Sequence, residues 1–465
     1  MVFSSITFLF AFLAAVLLLY FVCPLKGKNW LLALSGLVFY AWGEPVYIFL
    51  MLFSTLVDYT AGRVIDRYRD HPGIRKAALI VSIVIELSLL GVFKYSALLI
   101  NTINGIFGLQ LFNPNLPLPV GISFYTFQSM SYVIDLYRGD TRVQKNYVYY
   151  LAYVSMFPQL VAGPIVRYED IAREMESRTV TLSKIGEGAF QFAVGLGKKA
   201  LLANNIGQLW TQIKEVSGDR MPAATAWLGI LAFTFQIYFD FSGYSDMACG
   251  MGRMLGFTFP ENFHFPYMAK SITDFWRRWH ITLSTWFKNY VYIPLGGNRK
   301  GLPHTIRNLL IVWLLTGLWH GASWNFVFWG LYFGVLLIIE KFFLGKFLEK
   351  LPGWVQRIYA FLLVVFGWVF FELETPASIW TYFRWLFGAG GLWDEHSGYL
   401  LLTFGLLLVL CFLASNDWFS RLCKKAEEKW SGFSYLRLVW MAMLLIASMA
   451  FLVNATYNPF LYYRF

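Results

Sequence analysis

Charged residues are scarce in this sequence. Only 14% of the 465 residues are Asp, Glu, Lys or Arg, whereas 58% are hydrophobic and 20% are aromatic. Because soluble domains contain about 25% charged residues, this composition excludes a soluble globular protein and predicts a polytopic membrane protein. The formal net charge of +11 comes from basic residues that lie between apolar runs, where membrane topology accounts for them. A nucleic acid partner is therefore not expected.

Disulfide, metal and common hydrolase motifs are also missing. The four cysteines share no CxxC spacing, so no disulfide framework is expected. There is no GxSxG, Walker A or HExxH motif, which argues against serine hydrolases, P-loop enzymes and zincins. His280 and His320 are forty positions apart, with no third ligand at metal spacing. Neither a metal nor a tightly bound cofactor is therefore expected.

Long apolar runs, by contrast, recur along the whole sequence. At about 20 residues for each crossing, they predict an all-α polytopic membrane protein with roughly ten to twelve transmembrane helices. We expect a single membrane domain, residues 1–465, with additional interfacial helices. The first run lacks a preceding basic segment and a small-residue cleavage site, so it is expected to be a retained span. The runs lie near residues 6–23, 30–42, 45–61, 78–98, 117–137, 147–164, 223–241, 307–340, 354–372, 399–416 and 436–454.

Two segments place proline and glycine at membrane depth. The run 147–164 contains Pro158 and Gly163 and is expected to be re-entrant, because broken backbone in hydrocarbon must be buried in protein or line a cavity. The same argument predicts that segments 119–125 and 157–164 border a tunnel. A proline kink with no further role is the alternative.

The distribution of basic residues orients the chain. Basic residues follow the first, third and fifth apolar runs, whereas residues 101–117 carry no charge. By the positive-inside rule, the N-terminus is expected outside. The last span and tail, residues 436–465, then run outward and deliver an aromatic C-terminus to the outer face. An interfacial aromatic anchor is the alternative role for this tail.

The stretch 274–330 places a basic amphipathic segment directly before an apolar one. The amphipathic part is expected to form one interfacial helix with a buried stripe on one face. A further interfacial helix is expected at 186–210, which carries Lys198 and Lys199. The stripe recurs at helical spacing and consists of Trp276, Trp279, His280, Leu283, Phe287 and Tyr290.

His320 lies within the run 307–340, which is expected to be a hairpin that breaks at Gly321. At 1.5 Å per residue, His320 is about 20 Å from Arg307, at a depth where an ionisable side chain is a candidate for function. A histidine that only hydrogen-bonds a neighbouring carbonyl is the alternative. Gly317 and Gly321 form a GxxxG motif, which predicts close helix packing.

A basic cluster falls on the expected inner side. It predicts a site for an anionic, phosphate-bearing partner from the cytoplasm, with Arg277, Arg278 and Lys288 as contacts. Attraction to anionic lipid headgroups is the alternative. Asp240 and Asp246 are candidates to pair with Arg277 or Arg278, or to orient a histidine, and a purely structural ion pair is the expected role. The cluster comprises Lys270, Arg277, Arg278, Lys288, Arg299, Lys300 and Arg307.

Six motifs occur in order between residues 119 and 330. They are PVGISFYTFQ from Pro119, FPQLVAGPIVR from Phe157, YFDFSGYSDMACGMGRMLGF from Tyr238, NFHFPY from Asn262, DFWRRWHITLSTWFKNYVYIPLGG from Asp274 and LTGLWHGASWNFVFWG from Leu315. These motifs resemble the membrane-bound O-acyltransferases, abbreviated MBOAT. The resemblance is to the bacterial branch that contains the membrane subunits of alginate and peptidoglycan O-acetylation systems and, more distantly, the teichoic acid D-alanylation transferase.

The resemblance implies an MBOAT fold, a ring of tilted helices around a thinned membrane centre with a tunnel joining the two faces. It implies that His320, in LWHGA, is the catalytic residue and that His280, in WRRWH, is the second active-site position. The tail 460–465 resembles the aromatic C-terminal motif of the small subunit of D-alanylation systems. Tyr462 matches the tyrosine of that motif, which would make it an acyl relay, while Tyr463 stands where the motif often has Phe.

Together these inferences predict an O-acetyltransferase of the bacterial cytoplasmic membrane. The expected donor is a cytoplasmic thioester such as acetyl-CoA, and an extracytoplasmic partner protein is expected to esterify a polysaccharide. One rival is D-alanyl transfer from a carrier protein to teichoic acid. The other is a polysaccharide transporter or export pore, for which carboxylates or inverted repeats at mid-membrane would be required, and neither is expected in this sequence.

Overall fold

The structure is a computed structural model that describes residues 2–161, 163–215, 220–430, 432–454 and 461. Their secondary structure is helical, and extended pairing in this described part is limited to one isolated bridge, between Phe263 and Trp279. The predicted all-α class is therefore confirmed. The chain divides into two compact units, Met1–Phe192 with Ser245–Pro260, and Ala193–Tyr244 with Glu261–Phe465.

The first unit is built mainly from helices that precede residue 193. Its central feature is an antiparallel pair, α3 and α4, that packs against α5. In chain order these helices are α1 (Thr7–Val22), α2 (Leu25–Gly43), α3 (Ile48–Arg67), α4 (Pro72–Phe107), α5 (Ile122–Arg138), α6 (Tyr147–Ser155), α7 (Phe157–Leu160), α8 (Tyr168–Glu176) and α9 (Leu182–Gly197), which ends in the second unit.

The second unit carries both candidate histidines. A π-helical turn, Lys198–Ala203, joins α9 to the next helix, and the last residues of α11 belong to the first unit. The remaining helices are α10 (Asn204–Glu215), α11 (Ala223–Met254), α12 (Ile272–Trp276), α13 (Ile281–Phe287), α14 (Leu302–His320), α15 (Trp324–Leu348), α16 (Gly353–Glu372), α17 (Pro376–Leu386), α18 (Glu395–Ala414), α19 (Trp418–Lys429) and α20 (Phe433–Asn454).

Within the described residues, seven helices are long and apolar enough to cross a membrane: α3, α4, α11, α15, α16, α18 and α20. They contain 20 to 36 residues each, with mean hydropathy between 1.2 and 2.3. Because about 20 apolar residues cover the hydrocarbon core, the predicted multi-pass membrane protein is confirmed. Helix α1 is also apolar but shorter than these spans.

The helical hairpin at 307–340 forms as predicted. Helix α14 ends at His320, Gly321 is extended, and α15 begins at Trp324. A Cβ atom on Gly317 would overlap the carbonyl oxygen of Phe326, so the two helices touch through backbone. The prediction of close packing at the GxxxG motif is therefore confirmed, since only a residue without a side chain allows this approach.

The run 147–164 is broken between α6 and α7, as its proline suggested. The side-chain amides of Gln128 and Gln159 both donate to the carbonyl oxygen of Tyr153, at 3.1 and 2.5 Å, which satisfies backbone near the break. Gly121 has a φ of +76°, and a Cβ there would lie 2.8 Å from the carbonyl oxygen of Leu160. The two proline- and glycine-containing motifs therefore pack directly against each other.

The single interfacial helix predicted for residues 274–290 was wrong. Helix α12 ends at Trp276, His280 adopts a left-handed φ of 45°, and α13 begins only at Ile281. The helix is interrupted because residues 278–281 pair with the extended segment 262–264 through two backbone hydrogen bonds, of 2.9 and 3.0 Å. The six residues of the predicted stripe are nevertheless all buried, so the hydrophobic pattern identified the buried face although not the backbone.

Candidate active site

His280 lies in the connection between α12 and α13, outside the seven spanning helices. The backbone N–H of Ile281 donates to the carbonyl of Asn262 at 3.0 Å, which places the Asn262 side chain beside the imidazole. His280 is only 1% exposed. A left-handed backbone costs a non-glycine residue roughly 1–3 kcal/mol, so the surrounding contacts hold this histidine in a conformation that it would otherwise avoid.

The side chain of Asn262 determines which nitrogen of His280 carries the proton. Asn262 Oδ1 lies 3.1 Å from His280 Nδ1, 2.9 Å from the Thr282 hydroxyl and 3.3 Å from the Thr282 backbone nitrogen. Since a backbone N–H can only donate, the Asn262 atom facing it must be an acceptor oxygen. His280 Nδ1 therefore carries hydrogen, and in the neutral ring Nε2 has the lone pair.

Burial lowers the pKa of His280 to about 3, because the charged imidazolium is poorly solvated among apolar side chains. Phe241 lies edge-on to the imidazole at a centroid distance of 4.8 Å, and Trp319 lies at 5.7 Å. His280 is therefore a neutral hydrogen-bonding group throughout the physiological pH range.

His320 is the last residue of α14 and is 3% exposed. Its imidazole lies 4.8 Å from the Trp329 ring, 5.0 Å from the Trp319 ring and 5.6 Å from the Phe371 ring. Trp319 thus contacts both imidazoles. The two histidines predicted as site residues therefore lie in one aromatic cluster, although they belong to different segments of the second unit.

A buried carboxylate, Glu340, anchors the segment that leads to His280. It accepts hydrogen bonds from the backbone N–H groups of Ile272 and Thr273, at 2.6 and 2.9 Å, and from the Thr273 hydroxyl at 2.8 Å. These N–H groups lie in the first turn of α12 and have no partner within that helix. Sequence reasoning missed Glu340 and Asn262, although a lone acid near the end of an apolar run was an available signal for the first.

The predicted phosphate contacts do not point into the histidine cluster. Arg277 and Lys288 are exposed. Arg278 is half-buried, and its Nε donates to Asp274 Oδ1 at 2.8 Å. The structure therefore places these cations on the surface of the second unit rather than beside either imidazole.

The expected structural ion pair of Asp240 is present, but its partner is neither Arg277 nor Arg278. Asp240 instead forms a buried ion pair with Lys199, with Nζ and Oδ1 2.5 Å apart. Lys199 was expected at an interface but is 1% exposed. The other oxygen of Asp240, Oδ2, accepts the backbone N–H of Leu461 at 2.9 Å. Asp240 therefore bonds to the tail, and the histidine is oriented by Asn262.

Two further expectations concern the tail and metals. Tyr462 and Tyr463 lie outside the described residues, so the structure says nothing of their side chains. Across the described ranges, there is no group of three or more His, Cys, Asp or Glu side chains that could hold a metal ion.

Comparison with known proteins identifies the class. The model of the membrane-bound O-acyltransferase family, MBOAT, matches residues 141–373. A probable alginate O-acetylase AlgI from Azotobacter vinelandii is 43% identical over 394 residues, covering 84% of this chain and 79% of that protein. One from Pseudomonas putida is 39% identical over the full length of both chains. A peptidoglycan O-acetyltransferase from Helicobacter pylori is 34% identical, covering 84% of this chain and 81% of that protein.

The chain belongs to the membrane-bound O-acyltransferase family. The family resemblance predicted from the six motifs is confirmed, and so is the expectation that the protein is an enzyme, an O-acyltransferase.

Proposed function

We propose that this chain is a membrane O-acetyltransferase that passes an acetyl group from a cytoplasmic thioester through the bilayer, for O-acetylation of an extracytoplasmic polysaccharide. The observation that carries the proposal is the pair of buried imidazoles, His280 and His320, that contact the same Trp319 ring. The names of relatives at 34 to 43% identity favour acetyl over D-alanyl transfer. Acetyl-CoA is the proposed donor.

His320 is the proposed general base. Neutral imidazole takes the proton of an acceptor hydroxyl as its oxygen attacks the thioester carbonyl, and proton transfer of this kind contributes about 10²- to 10⁴-fold. The tetrahedral intermediate then collapses, the carbon–sulfur bond breaks, and the imidazolium returns the proton to the departing thiolate. The products are an ester and a thiol, so the step leaves no net proton behind.

His280 is proposed to position a reactant rather than to remove a proton. A base whose conjugate acid has a pKa of about 3 has little driving force to deprotonate an alcohol at neutral pH. Its Nε2 lone pair can still accept a hydrogen bond from the attacking hydroxyl. Asn262, by holding the proton on Nδ1, keeps Nε2 in its acceptor form.

The proposed donor-binding residues are Arg277, Arg278 and Lys288. Two of these side chains are exposed and the third is half-buried, so they are accessible to a large anionic ligand. Guanidinium and ammonium groups bind phosphate oxygens through charge-assisted hydrogen bonds. In the proposed orientation, with both termini outside, these cations face the cytoplasm.

Tyr462 is the proposed acyl relay. Its neighbour in sequence, Leu461, is buried and donates its backbone N–H to Asp240. The residue after Asp240 is Phe241, whose ring contacts His280 at 4.8 Å. The chain is thus anchored one residue before Tyr462 to the helix that supports the histidine cluster. An acetylated Tyr462 would then hand its acetyl group to an extracytoplasmic partner protein, by the two-step logic of covalent catalysis.

The first test is release of free thiol from acetyl-CoA by the purified protein. His320→Gln should lower the rate by about 100-fold or more, since it removes the base, while expression and thermal stability stay close to those of the unmodified protein. His304→Gln is the matched control, because His304 is on the same helix but exposed. Normal thiol release by His320→Gln would refute the assignment of the base.

A further inference from the structure

A second buried polar cluster belongs to the first unit, whereas the residues assigned to acyl transfer belong to the second. Asp58 on α3 and Glu86 on α4 are both fully buried. Both helices are long and apolar enough to span the membrane. Each acid lies at least ten residues from the start of its helix, which at 1.5 Å per residue is about 15 Å or more. The expectation that the sequence has no carboxylate deep in a span was therefore wrong.

The two carboxyl groups are held by reciprocal hydrogen bonds between the helices. Ser54, four residues before Asp58 on α3, donates to Glu86 Oε1 at 2.6 Å. Ser82, four residues before Glu86 on α4, donates to Asp58. A spacing of four places each serine and acid on the same helix face. Each helix thus carries one Ser-x-x-x-acid pair, and the serine of each helix donates a hydrogen bond to the acid of the other.

These bonds leave one oxygen of each carboxyl group available. Asp58 Oδ2 and Glu86 Oε2 are buried, and no hydrogen bond of standard geometry reaches them within the described residues. The hydroxyls of Ser129 and Thr126 lie close enough to interact with Asp58 and Glu86 respectively. The available oxygens therefore face a polar lining, although apolar helices surround it.

A tyrosine supplies an independent indication of a ligand. Tyr150, on α6, is fully buried and interacts electrostatically with Asp58. The Ser129 hydroxyl lies close enough to interact with it, but the Tyr150 hydroxyl makes no hydrogen bond of standard geometry among the described residues, whereas buried hydroxyls are ordinarily bonded. Four helices thus direct oxygen atoms toward one place: α3 with Asp58, α4 with Glu86, α5 with Ser129 and Thr126, and α6 with Tyr150.

The described part of the chain provides no cation that neutralises this site. Among the described residues, neither Asp58 nor Glu86 forms an ion pair with lysine or arginine. The buried Lys94 donates to the Ser123 hydroxyl at 3.1 Å. Buried carboxylates without a partner are costly, so their charge must be compensated by something that the chain itself does not provide.

We propose that Asp58 and Glu86, with the surrounding hydroxyls, form an intramembrane binding site for a small cation, and that Na⁺ is the cation that occupies it. Carboxylate and hydroxyl oxygens are ligands for hard cations. One Na⁺ and one proton neutralise two carboxylates. Mg²⁺ releases its hydration water reluctantly, which disfavours it in a buried cluster. Occupancy stabilises the α3–α4 pair, because any ligand that binds only the folded state raises the unfolding temperature.

The test is the thermal unfolding of the full-length protein in detergent, in NaCl and in choline chloride at equal ionic strength. At about 100 times the dissociation constant, Na⁺ should raise the unfolding temperature by about 5 °C. Asp58→Asn and Glu86→Gln should remove the difference between the two salts. Asp66→Asn is the matched control, because Asp66 is on the same helix but pairs with Arg69 at the surface, and it should keep the difference.

A second measurement uses only the unmodified protein, so it tests the proposal even where the variants fail to fold. Dicyclohexylcarbodiimide modifies protonated carboxyl groups in apolar surroundings. Na⁺ should slow its reaction with Asp58 or Glu86 of the unmodified protein by about tenfold. The extent of modification is measured by peptide mass spectrometry. Equal unfolding temperatures of the unmodified protein in the two salts would overturn the proposal and leave a purely protonated pair. A shift with Ca²⁺ or Mg²⁺ but none with Na⁺ would overturn the assignment of the ion.

Discussion

At the scale of the residue, the candidate site depends on a single amide oxygen. Asn262 Oδ1 is surrounded by the Thr282 hydroxyl, the Thr282 backbone N–H and His280 Nδ1. Both histidines were predictable from the sequence, because each interrupts an aromatic or apolar pattern. Asn262 was not predictable, because an amide in a loop has no periodicity and is recognised only when the fold brings it to the imidazole.

The role of Asn262 gives a prediction about the pH profile. Asn262→Ala should lower thiol release by about 100-fold at every pH, since loss of the tautomer and position of a site residue has effects of that size. Asn262→Asp keeps an acceptor for Nδ1, so it should retain more activity at high pH. The added carboxylate should also raise the pKa of His280 and move the acid limb of the profile toward neutral pH. Identical profiles for the two variants would contradict the tautomer assignment.

Burial of His280 gives a prediction about stability. The folded-state pKa is lowered to about 3, below the usual value of about 6.5. Between these two values the unfolded chain binds more protons, so the free energy of unfolding falls as the pH falls. The contribution is fully present above about pH 6.5 and is lost progressively toward pH 3.

His280→Gln should therefore flatten the dependence of unfolding on pH. The slope removed is at most about 1.4 kcal/mol per pH unit, measured by thermal unfolding between pH 7 and pH 4.5. His264→Gln is the control, because the side chain of His264 is exposed beside Glu261. An unchanged slope in His280→Gln would show that this histidine is solvated in the folded protein.

At the scale of the element, the hairpin of α14 and α15 determines where His320 lies. Its break was predictable because Gly321 lies within a long apolar run. The segment before it was not predicted correctly, since helical spacing of the stripe from Trp276 to Tyr290 suggested one helix. Pairing of residues 278–281 with 262–264 overrides that local preference, and such long-range pairing leaves no signal in a short window.

The hairpin prediction concerns Gly317, where the two helices touch. Gly317→Ala should destabilise the protein by about 1–3 kcal/mol, because the added methyl group must displace the backbone at Phe326. Acetyl transfer should fall with it, since His320 lies less than one turn away. Gly105→Ala is the control, because a Cβ there meets no atom within 4 Å. Equal unfolding temperatures and activities for both variants would refute the close contact.

At the scale of the whole molecule, composition and apolar runs were sufficient to predict a polytopic all-α membrane protein. They were less informative about charges inside the spans. Asp58 and Glu86 were overlooked because each stands alone in an apolar run, and the fold brings the two together. Lys199 was expected at an interface because its partner, Asp240, is far away in the sequence. Nothing near Lys199 in the sequence indicates a buried ion pair.

The proposed function requires this one chain to carry an acetyl group from a thioester to a hydroxyl through its histidine cluster. The most direct measurement uses proteoliposomes containing the full chain and radiolabelled acetyl-CoA, followed by peptide mass spectrometry. We predict label on Tyr462 in the unmodified protein, and no label there in His320→Gln or Tyr462→Phe. Label on Tyr462 that persists in His320→Gln, or thiol release by the unmodified protein with no labelled residue in the tail, would contradict the account.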